Sequence, residues 1–470
     1  MTRSGAGTLA ALAAWAATRT ALLLCVLQVF TLPGLDVTTD VEVIYHGWFT
    51  TLRDGSFPVD DVTWQYPPAA ALAILSPAAL TAVSALSYAT AFYVLACAAD
   101  AAVLGLLLYA RRRPDSRRAG AWVWIAGVPL LGPTAYARYD VMVAAVAVAA
   151  LLAAVRHPRW AGALAGFGAL LKVWPALLLA GLARGRATRA GWASAAAVAA
   201  VLTAGFAVAM PGALDFLTAQ QERGTEVESL GGLVLHVARH FGWEGEVRLH
   251  YGSMEFLGPG VELVSAAALV LTVLGFGWLL LWRVCAVEWT PSTPADAAFA
   301  AVLLFTTTSR VLSPQYMVWL VALAAVCLSL RASRQGLPAV LVLAATALTV
   351  LEFPVWFGHV VASDGAGIAL LAGRNGLLVA ACVVACARLW QDTVSRPRRS
   401  APGNRSTAAP ANADSNRGAG SGAPSLPQAL GFARAGGTPT CPRTPTASRG
   451  NPWGALTPPA APAHMYATAP

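Results

Sequence analysis

Tyr88 to Ala110 reads YATAFYVLACAADAAVLGLLLYA and runs straight into Arg111-Arg112-Arg113-Pro114-Asp115-Ser116-Arg117-Arg118. A helix rises about 1.5 Å per residue, so about 20 apolar residues cross a bilayer. The first half of this stretch is long enough to cross and carries one acid, Asp100. The second half is a dense arginine cluster, which the positive-inside rule assigns to the cytoplasmic end of a span. Together they predict a polytopic membrane protein and set its orientation.

That orientation governs the segment upstream. Pro67 to Leu86 is apolar but broken at Pro77. As a full span it would place the arginine cluster outside, so it reads as a re-entrant or interfacial element on the outer side. The first apolar run, Leu9 to Leu32, then enters from the cytoplasm behind Arg3. Residues 33–66 become a first external loop.

Composition agrees with this reading. The chain has 470 residues, 57% hydrophobic and 12% charged, with mean hydropathy +0.59. Soluble domains average about 25% charged residues. The apolar runs do not alternate, so helices rather than a barrel satisfy the backbone in lipid. The net charge of +9 comes from arginines in short inter-helix loops and in the tail. They read as topology signals, not as a nucleic-acid footprint. Cys382 and Cys386 share a helix face, but without a neighbouring His or carboxylate they make a poor metal site; no cofactor is expected, and metal dependence stays open, with one of Asp60 and Asp61 able to bind a cation.

Downstream, Ala119–Ala135 rises and Val141–Val155 descends, joined outside by Tyr136-Ala137-Arg138-Tyr139-Asp140. Ala161 to Leu182 begins and ends among basic residues and holds Lys172 and Pro175 in its middle. It is expected as a broken hairpin of two short helices with Lys172 near the tip. Further spans are expected at Trp192–Met210, Val261–Trp282, Ala295–Thr308, Tyr316–Leu330, Leu337–Phe357 and Gly367–Trp390. Residues 211–260 form a second large external loop. The expected fold is all-α: a bundle of about 10–12 transmembrane helices with re-entrant or broken elements, over residues 1–390. Both termini lie in the cytoplasm, and a disordered cytoplasmic tail occupies 391–470.

This topology gathers the unusual polar groups on the outer side. They include Asp40, Glu42, Tyr45, His46, Gln65, Tyr66, Arg138, Asp140, Lys172, Arg223, Glu228, Arg310, Gln315 and His359. Acids and bases converging on one membrane face fit an amphiphile with an anionic head group. A carboxylate-rich loop between membrane segments is where a membrane enzyme would keep a general base. Lys172 is the chain's only lysine and lies mid-membrane, so it should have an anionic partner: it reads as a phosphate contact, as a lysine snorkelling to an interface, or as the partner of a structural aspartate. Asp140 beside Arg138 reads as an acid that helps set the site or as an ion pair at a helix end. Arg223 and Glu228 read as ligand contacts or as solvated charges. Asp60 and Asp61 read as solvated loop acids, and His359 as a surface histidine. Asp100, Glu352 and Arg374 lie inside spans and want partners.

Six motifs occur in order: Asp40…Tyr45, Trp64-Gln65-Tyr66-Pro67-Pro68, Arg138-Tyr139-Asp140, Leu171-Lys172-Val173-Trp174-Pro175, Arg223…Glu226-Val227-Glu228-Ser229 and Ser313-Pro314-Gln315-Tyr316-Met317-Val318-Trp319. This arrangement resembles the bacterial polyprenyl-phosphate-mannose-dependent glycosyltransferases of family 87, within the GT-C superfamily. The resemblance spans Leu9 to Trp390. It implies a multi-pass cell-membrane enzyme with an extracytoplasmic site. It also implies inverting transfer of a hexose, typically mannose, from a polyprenyl-phosphate donor to a hydroxyl of a glycolipid, polysaccharide or protein. By family position Asp40 is the catalytic base and Lys172 a phosphate contact. Tyr66, Arg138, Asp140, Arg223, Glu228 and Gln315 are expected to bind substrate. The family usually spaces its loop aspartate and tyrosine one residue closer, which keeps Asp36 and Glu42 in reserve.

The alternative class is a polytopic transporter or flippase for a glycolipid or other anionic substrate. It predicts charges near the midplane and an internal repeat, and no repeat is visible. A non-catalytic scaffold would need neither the loop acids nor the buried lysine. A soluble nucleotide-sugar enzyme is excluded by the absence of a Gly-rich phosphate loop.

Overall fold

The computed structural model describes residues 3–113, 115–218 and 223–394. The expected tail beyond 394, with Cys441, lies outside them. In chain order the helices are α1 (Arg3–Val26), α2 (His46–Arg53), α3 (Ala70–Leu75), α4 (Ala78–Thr81), α5 (Tyr88–Ala110), α6 (Ala119–Leu130), α7 (Asp140–Ala153) and α8 (Pro158–Leu171). They continue as α9 (Arg186–Ala209), α10 (Leu230–Arg239), α11 (Val261–Cys285), α12 (Thr293–Thr308), α13 (Tyr316–Ser329), α14 (Gly336–Val350), α15 (Phe357–Ala362) and α16 (Gly365–Thr393). Strands β1 (Thr225–Glu226), β2 (Glu246–His250) and β3 (Ser253–Leu257) form one antiparallel sheet in the order β1-β3-β2. The chain is thus an all-α polytopic membrane protein.

Among the described residues, six helices are long and apolar enough to cross a membrane: α1, α5, α9, α11, α14 with its continuation to Val355, and α16. This is fewer complete spans than the ten expected. The difference lies in α6, α7, α12 and α13, which have 12, 14, 16 and 14 residues. Nearly every residue of α12 and α13 is buried against other helices. Protein rather than lipid surrounds them, and at membrane depth an early helix end is tolerated where other helices cover the freed backbone.

Both broken elements have a local cause. Pro77 separates α3 from α4, and neither piece is long enough to cross a bilayer. Lys172 caps α8 in extended conformation, φ −160° and ψ 132°. The chain then returns as a 3₁₀ segment, Trp174–Gly181, started by Pro175. α8 and the following α9 run in parallel, in close contact. A Cβ on Gly162 would sit 2.0 Å from the Gly191 carbonyl, and one on Gly166 would sit 2.5 Å from that of Ala195. Two small residues four apart let the backbones approach.

The two segments expected as external loops contain regular structure. In 33–66, a π-helical turn over Asp40–Tyr45 leads into α2. In 211–260, α10 and the sheet enclose a small second core of Val227, Leu235 and Phe256, completed by Val261, Phe357, Val360 and Leu371. The expected span Leu337–Phe357 also breaks, at Phe353-Pro354. Gly34 fits against that break, with φ +102° and its missing Cβ 2.1 Å from the Pro354 carbonyl oxygen.

The charges inside spans have partners. Asp100 accepts from Arg19 Nε at 2.8 Å, from the indoles of Trp15 and Trp124 at 2.8 Å each, and from the Tyr136 hydroxyl at 3.0 Å. Arg374 donates to Glu352 at 2.5 Å and stands 3.8 Å from Glu228. The arginine-rich turns share one end of the bundle. Ser116 bridges to Leu330, and Arg113 donates to the Leu152 carbonyl near the end of α7. The start of α7, where Arg138 and Asp140 lie, is the opposite end.

Candidate active site

Asp40 opens the π-helical turn that ends at Tyr45. Asp36 steadies the approach to it: its carboxylate accepts from Thr38 N at 2.9 Å and Thr38 Oγ1 at 2.7 Å. Asp40 pairs with the Arg138 guanidinium, and its side chain remains 25% exposed. It can therefore still be reached by an acceptor. Glu42, one position past the next residue of the turn, faces solvent.

Behind this pair lies a second one, almost wholly buried. Lys172 Nζ donates to Asp140 Oδ1 at 2.7 Å, and the Trp319 indole donates to the same oxygen at 2.5 Å. The ammonium stands 5.1 Å from the ring centres of Tyr139 and Trp319, 5.5 Å from Tyr66 and 5.9 Å from Tyr316. Such an aromatic box attracts a cation through the ring quadrupoles. The sequence allowed an Arg138–Asp140 pair; the structure gives Asp140 to Lys172 and Arg138 to Asp40. The two pairs share one field, since Arg138 lies within electrostatic reach of Asp40, Tyr45, Tyr66 and Asp140.

Aromatic rings line the space between. Tyr45 stacks on Trp48 at 5.3 Å, and Tyr66 meets Tyr139 edge-on at 5.4 Å and Trp64 at 5.9 Å. Asp61 supports this wall by accepting from the Trp48 indole at 2.8 Å and from Thr63 N at 2.9 Å. It is a half-buried structural acid, not the solvated one expected, whereas Asp60 is exposed.

Arg223 approaches from the external sheet. It donates through Nε to Glu255 at 2.8 Å, through Nη1 to Gln65 at 3.0 Å and through Nη2 to Ser253 at 2.6 Å. It thereby ties the Trp64-Gln65-Tyr66 turn to β3. Three residues on, Glu226 is buried and accepts from Leu312 N at 2.5 Å and Ser313 Oγ at 3.0 Å. Burial raises the Glu226 carboxyl above its usual range. This clasp holds the turn that opens α13, with Gln315 half-buried as its N-cap.

Asp40, Arg138, Asp140, Lys172, Tyr66 and Arg223 therefore form one connected cluster, and Glu226 holds Gln315 at the start of α13, the helix that carries Tyr316 and Trp319. Glu228 stands apart from it. It is buried against Arg374 and Glu352. Burial first, and the charge of Glu352 second, push its carboxyl well above the ordinary range. His359 is exposed and bonds Asp364 at 2.5 Å, as expected of a surface histidine.

The shape of the cluster is three cations and two acids around an aromatic wall, at the end of the bundle where α7, α8 and α13 stop short. Aromatic faces suit sugar rings, and the cations suit a phosphate. The family model of glycosyltransferase family 87 matches residues 64–314, more than half of the chain. The chain belongs to glycosyltransferase family 87. It is a membrane glycosyltransferase. Comparison with curated proteins gave no match. Within the glycosyltransferase match lie Tyr66, Arg138, Asp140, Lys172, Arg223 and Glu228, while Asp40 and Gln315 fall outside it.

The sequence reading did not single out Glu255. Its one signal is the two-residue alternation of Ser253-Met254-Glu255-Phe256-Leu257, which puts Ser253 and Glu255 on one face of β3. The roles of Tyr139, Tyr316 and Trp319 around Lys172 were also unread, although all three lie inside quoted motifs.

Proposed function

We propose that this glycosyltransferase moves a hexose, mannose by its family resemblance, from a polyprenyl phosphate to a hydroxyl with inversion. The acceptor is an extracytoplasmic glycolipid, polysaccharide or protein. Asp40 takes the proton of the acceptor hydroxyl as its oxygen attacks the anomeric carbon from the face opposite the lipid phosphate. The carbon–oxygen bond to that phosphate breaks, and the phosphate leaves with the electron pair. Arg138 and Lys172 stabilise the charge that develops on it. Lys172 has three N–H donors, of which Asp140 takes one. Tyr66 and Arg223, with Gln315 at the margin, contact the sugar. In the same reading Glu228 acts indirectly, by seating the external subdomain on α16.

The observation that carries this reading is the juxtaposition of a quarter-exposed carboxylate, Asp40, with Arg138 and the buried Lys172–Asp140 pair. The arginine-rich turns at the other end support an extracytoplasmic site in the cell membrane with both termini cytoplasmic. The test is transfer by the purified chain from radiolabelled polyprenyl-phosphate-mannose to candidate acceptors. The reading predicts labelled product with the opposite anomeric configuration. Transfer of a different hexose would remove mannose from the proposal. Movement of intact donor between leaflets without bond cleavage would replace it with the lipid-translocating alternative.

A further inference from the structure

A groove of about 510 Å³ opens at the end of the bundle opposite Asp40, where α7 hands over to α8 beside the start of α9. Arg156, Arg159 and Arg186 line it, together with His157 and Trp160. α7 separates it from the Asp40 cluster by about 20 Å, at about 1.5 Å per residue.

Arginines are common at this end, but most are engaged. Arg113 donates to the Leu152 carbonyl at 3.2 Å, Arg184 to that of Val284 at 2.6 Å, Arg117 to that of Arg331 at 2.6 Å, and Arg334 to Asp392 at 2.8 Å. Those arginines staple turns together. Arg156, Arg159 and Arg186 are exposed and have no hydrogen-bond or acidic partner among the described residues. Three guanidinium groups converge on one groove without a counter-charge.

The groove is also continuous with a lipid-facing wall. Trp160 is 69% exposed and Trp192 48%. Gly191 and Ala195 are the only buried residues of α9. The helices α8 and α9 bring their N-termini side by side, and neither has a side-chain cap. Their first-turn N–H groups add to the positive field. A ligand that satisfies all of this has an anionic head for the arginines and an apolar body for the tryptophans and α9.

We infer that this groove is a second lipid site, which holds the phosphate head group of an anionic phospholipid at the membrane surface opposite the transfer site. The arginine fork matches a phosphate, and the exposed apolar wall selects a lipid over a free ion. The site does not depend on the sugar-transfer chemistry and can be tested without it.

The full chain is purified in neutral detergent and offered phosphatidylglycerol, phosphatidylcholine or inorganic phosphate, with binding read by native mass spectrometry. Wild type should retain phosphatidylglycerol in preference to phosphatidylcholine. The triple variant Arg156→Gln/Arg159→Gln/Arg186→Gln should bind it on the order of 100-fold more weakly, since each basic residue near a surface contributes about fivefold. The triple variant to Lys keeps the charges but not the fork, so it should bind phosphatidylglycerol between wild type and the Gln variant, which separates loss of the site from loss of fold. Equal retention by wild type and the Gln variant would overturn the inference. So would equal retention of phosphatidylcholine, or inorganic phosphate that displaces the lipid at comparable concentration.

Discussion

Lys172 carries the largest electrostatic risk in the molecule. Its ammonium and the Asp140 carboxylate are both nearly inaccessible, so removing one leaves the other buried and unpaired. Breaking such a pair costs about 3–5 kcal/mol, while removing both charges is often neutral. This separates a structural role from a phosphate contact. Lys172→Met alone should destabilise the protein, and Lys172→Met with Asp140→Asn should recover much of the loss. If Lys172 also holds the lipid phosphate, the folded double variant should bind polyprenyl-phosphate donor about 10- to 100-fold more weakly, the worth of a charge-assisted hydrogen bond. Equilibrium binding of the donor to the detergent-solubilised variant reads this directly. Unchanged affinity would assign Lys172 to structure alone. That Lys172 needed an anion was legible from its type and depth; which anion was not. Arg138 and Asp140 are neighbours in sequence, but Arg138 lies in the turn ahead of α7 while Asp140 is the helix's first residue. Asp140 starts α7, so Arg138 is left to turn towards the loop acid.

At the scale of elements, the small subdomain of α10 and the sheet is joined to the membrane bundle by α10, which packs on α16. Its His236 lies fully buried and bonds Ser363 Oγ at 2.7 Å and the Val227 carbonyl at 2.9 Å. Burial pushes His236 down from the ordinary 6.5 to about 4. Above pH 6.5 the ring is neutral both folded and unfolded. Between 6.5 and 4 the unfolded chain binds a proton that the folded one refuses, so stability falls as the pH falls. Thermal unfolding followed from neutral pH to about 4.5 should therefore drop more steeply for wild type than for His236→Gln. Parallel curves would place the acid sensitivity elsewhere. The long spans were readable because hydropathy over about 20 residues has one physical reading. The folded external segments were not. β1 has two residues and α10 ten, below the length at which periodicity separates helix, strand and loop. Glu255 was hidden because only the pairing of β1 with β3 brings it to Arg223, 32 positions away.

At the scale of the whole molecule, the bundle has two chemically distinct ends. One gathers arginine-rich turns, and the other gathers Asp40, Arg138, Lys172 and Arg223. The short helices α7, α8 and α13 belong to this division. They end at Asp140, Lys172 and Tyr316, which puts those groups together at one end of the bundle. Hydropathy alone counts α7 and α13 as complete spans, because it registers apolar surface without distinguishing lipid from protein as the neighbour. The positive-inside argument predicts opposite accessibility for the two ends. In a chain with its native cysteines replaced, a cysteine at position 115 should label only from the cytoplasmic side and one at position 60 only from outside. Labelling of both from one side would break the orientation and the re-entrant reading of Pro67 to Leu86 with it.

The central claim is that the acid at the start of the π-helical turn is the base of a sugar-transfer reaction. Asp40→Asn keeps size and shape and removes basicity. A general base contributes about 10²- to 10⁴-fold to rate. The decisive measurement is single-turnover transfer from radiolabelled polyprenyl-phosphate-mannose by Asp40→Asn, with donor binding measured on the same preparation. The account predicts a rate reduced by about that factor with donor affinity largely intact. Asp36→Asn, Glu42→Gln and Asp60→Asn should stay close to wild type. A fully active Asp40→Asn enzyme would contradict the claim, and a dead Asp36→Asn or Glu42→Gln enzyme would show which carboxylate takes the proton instead.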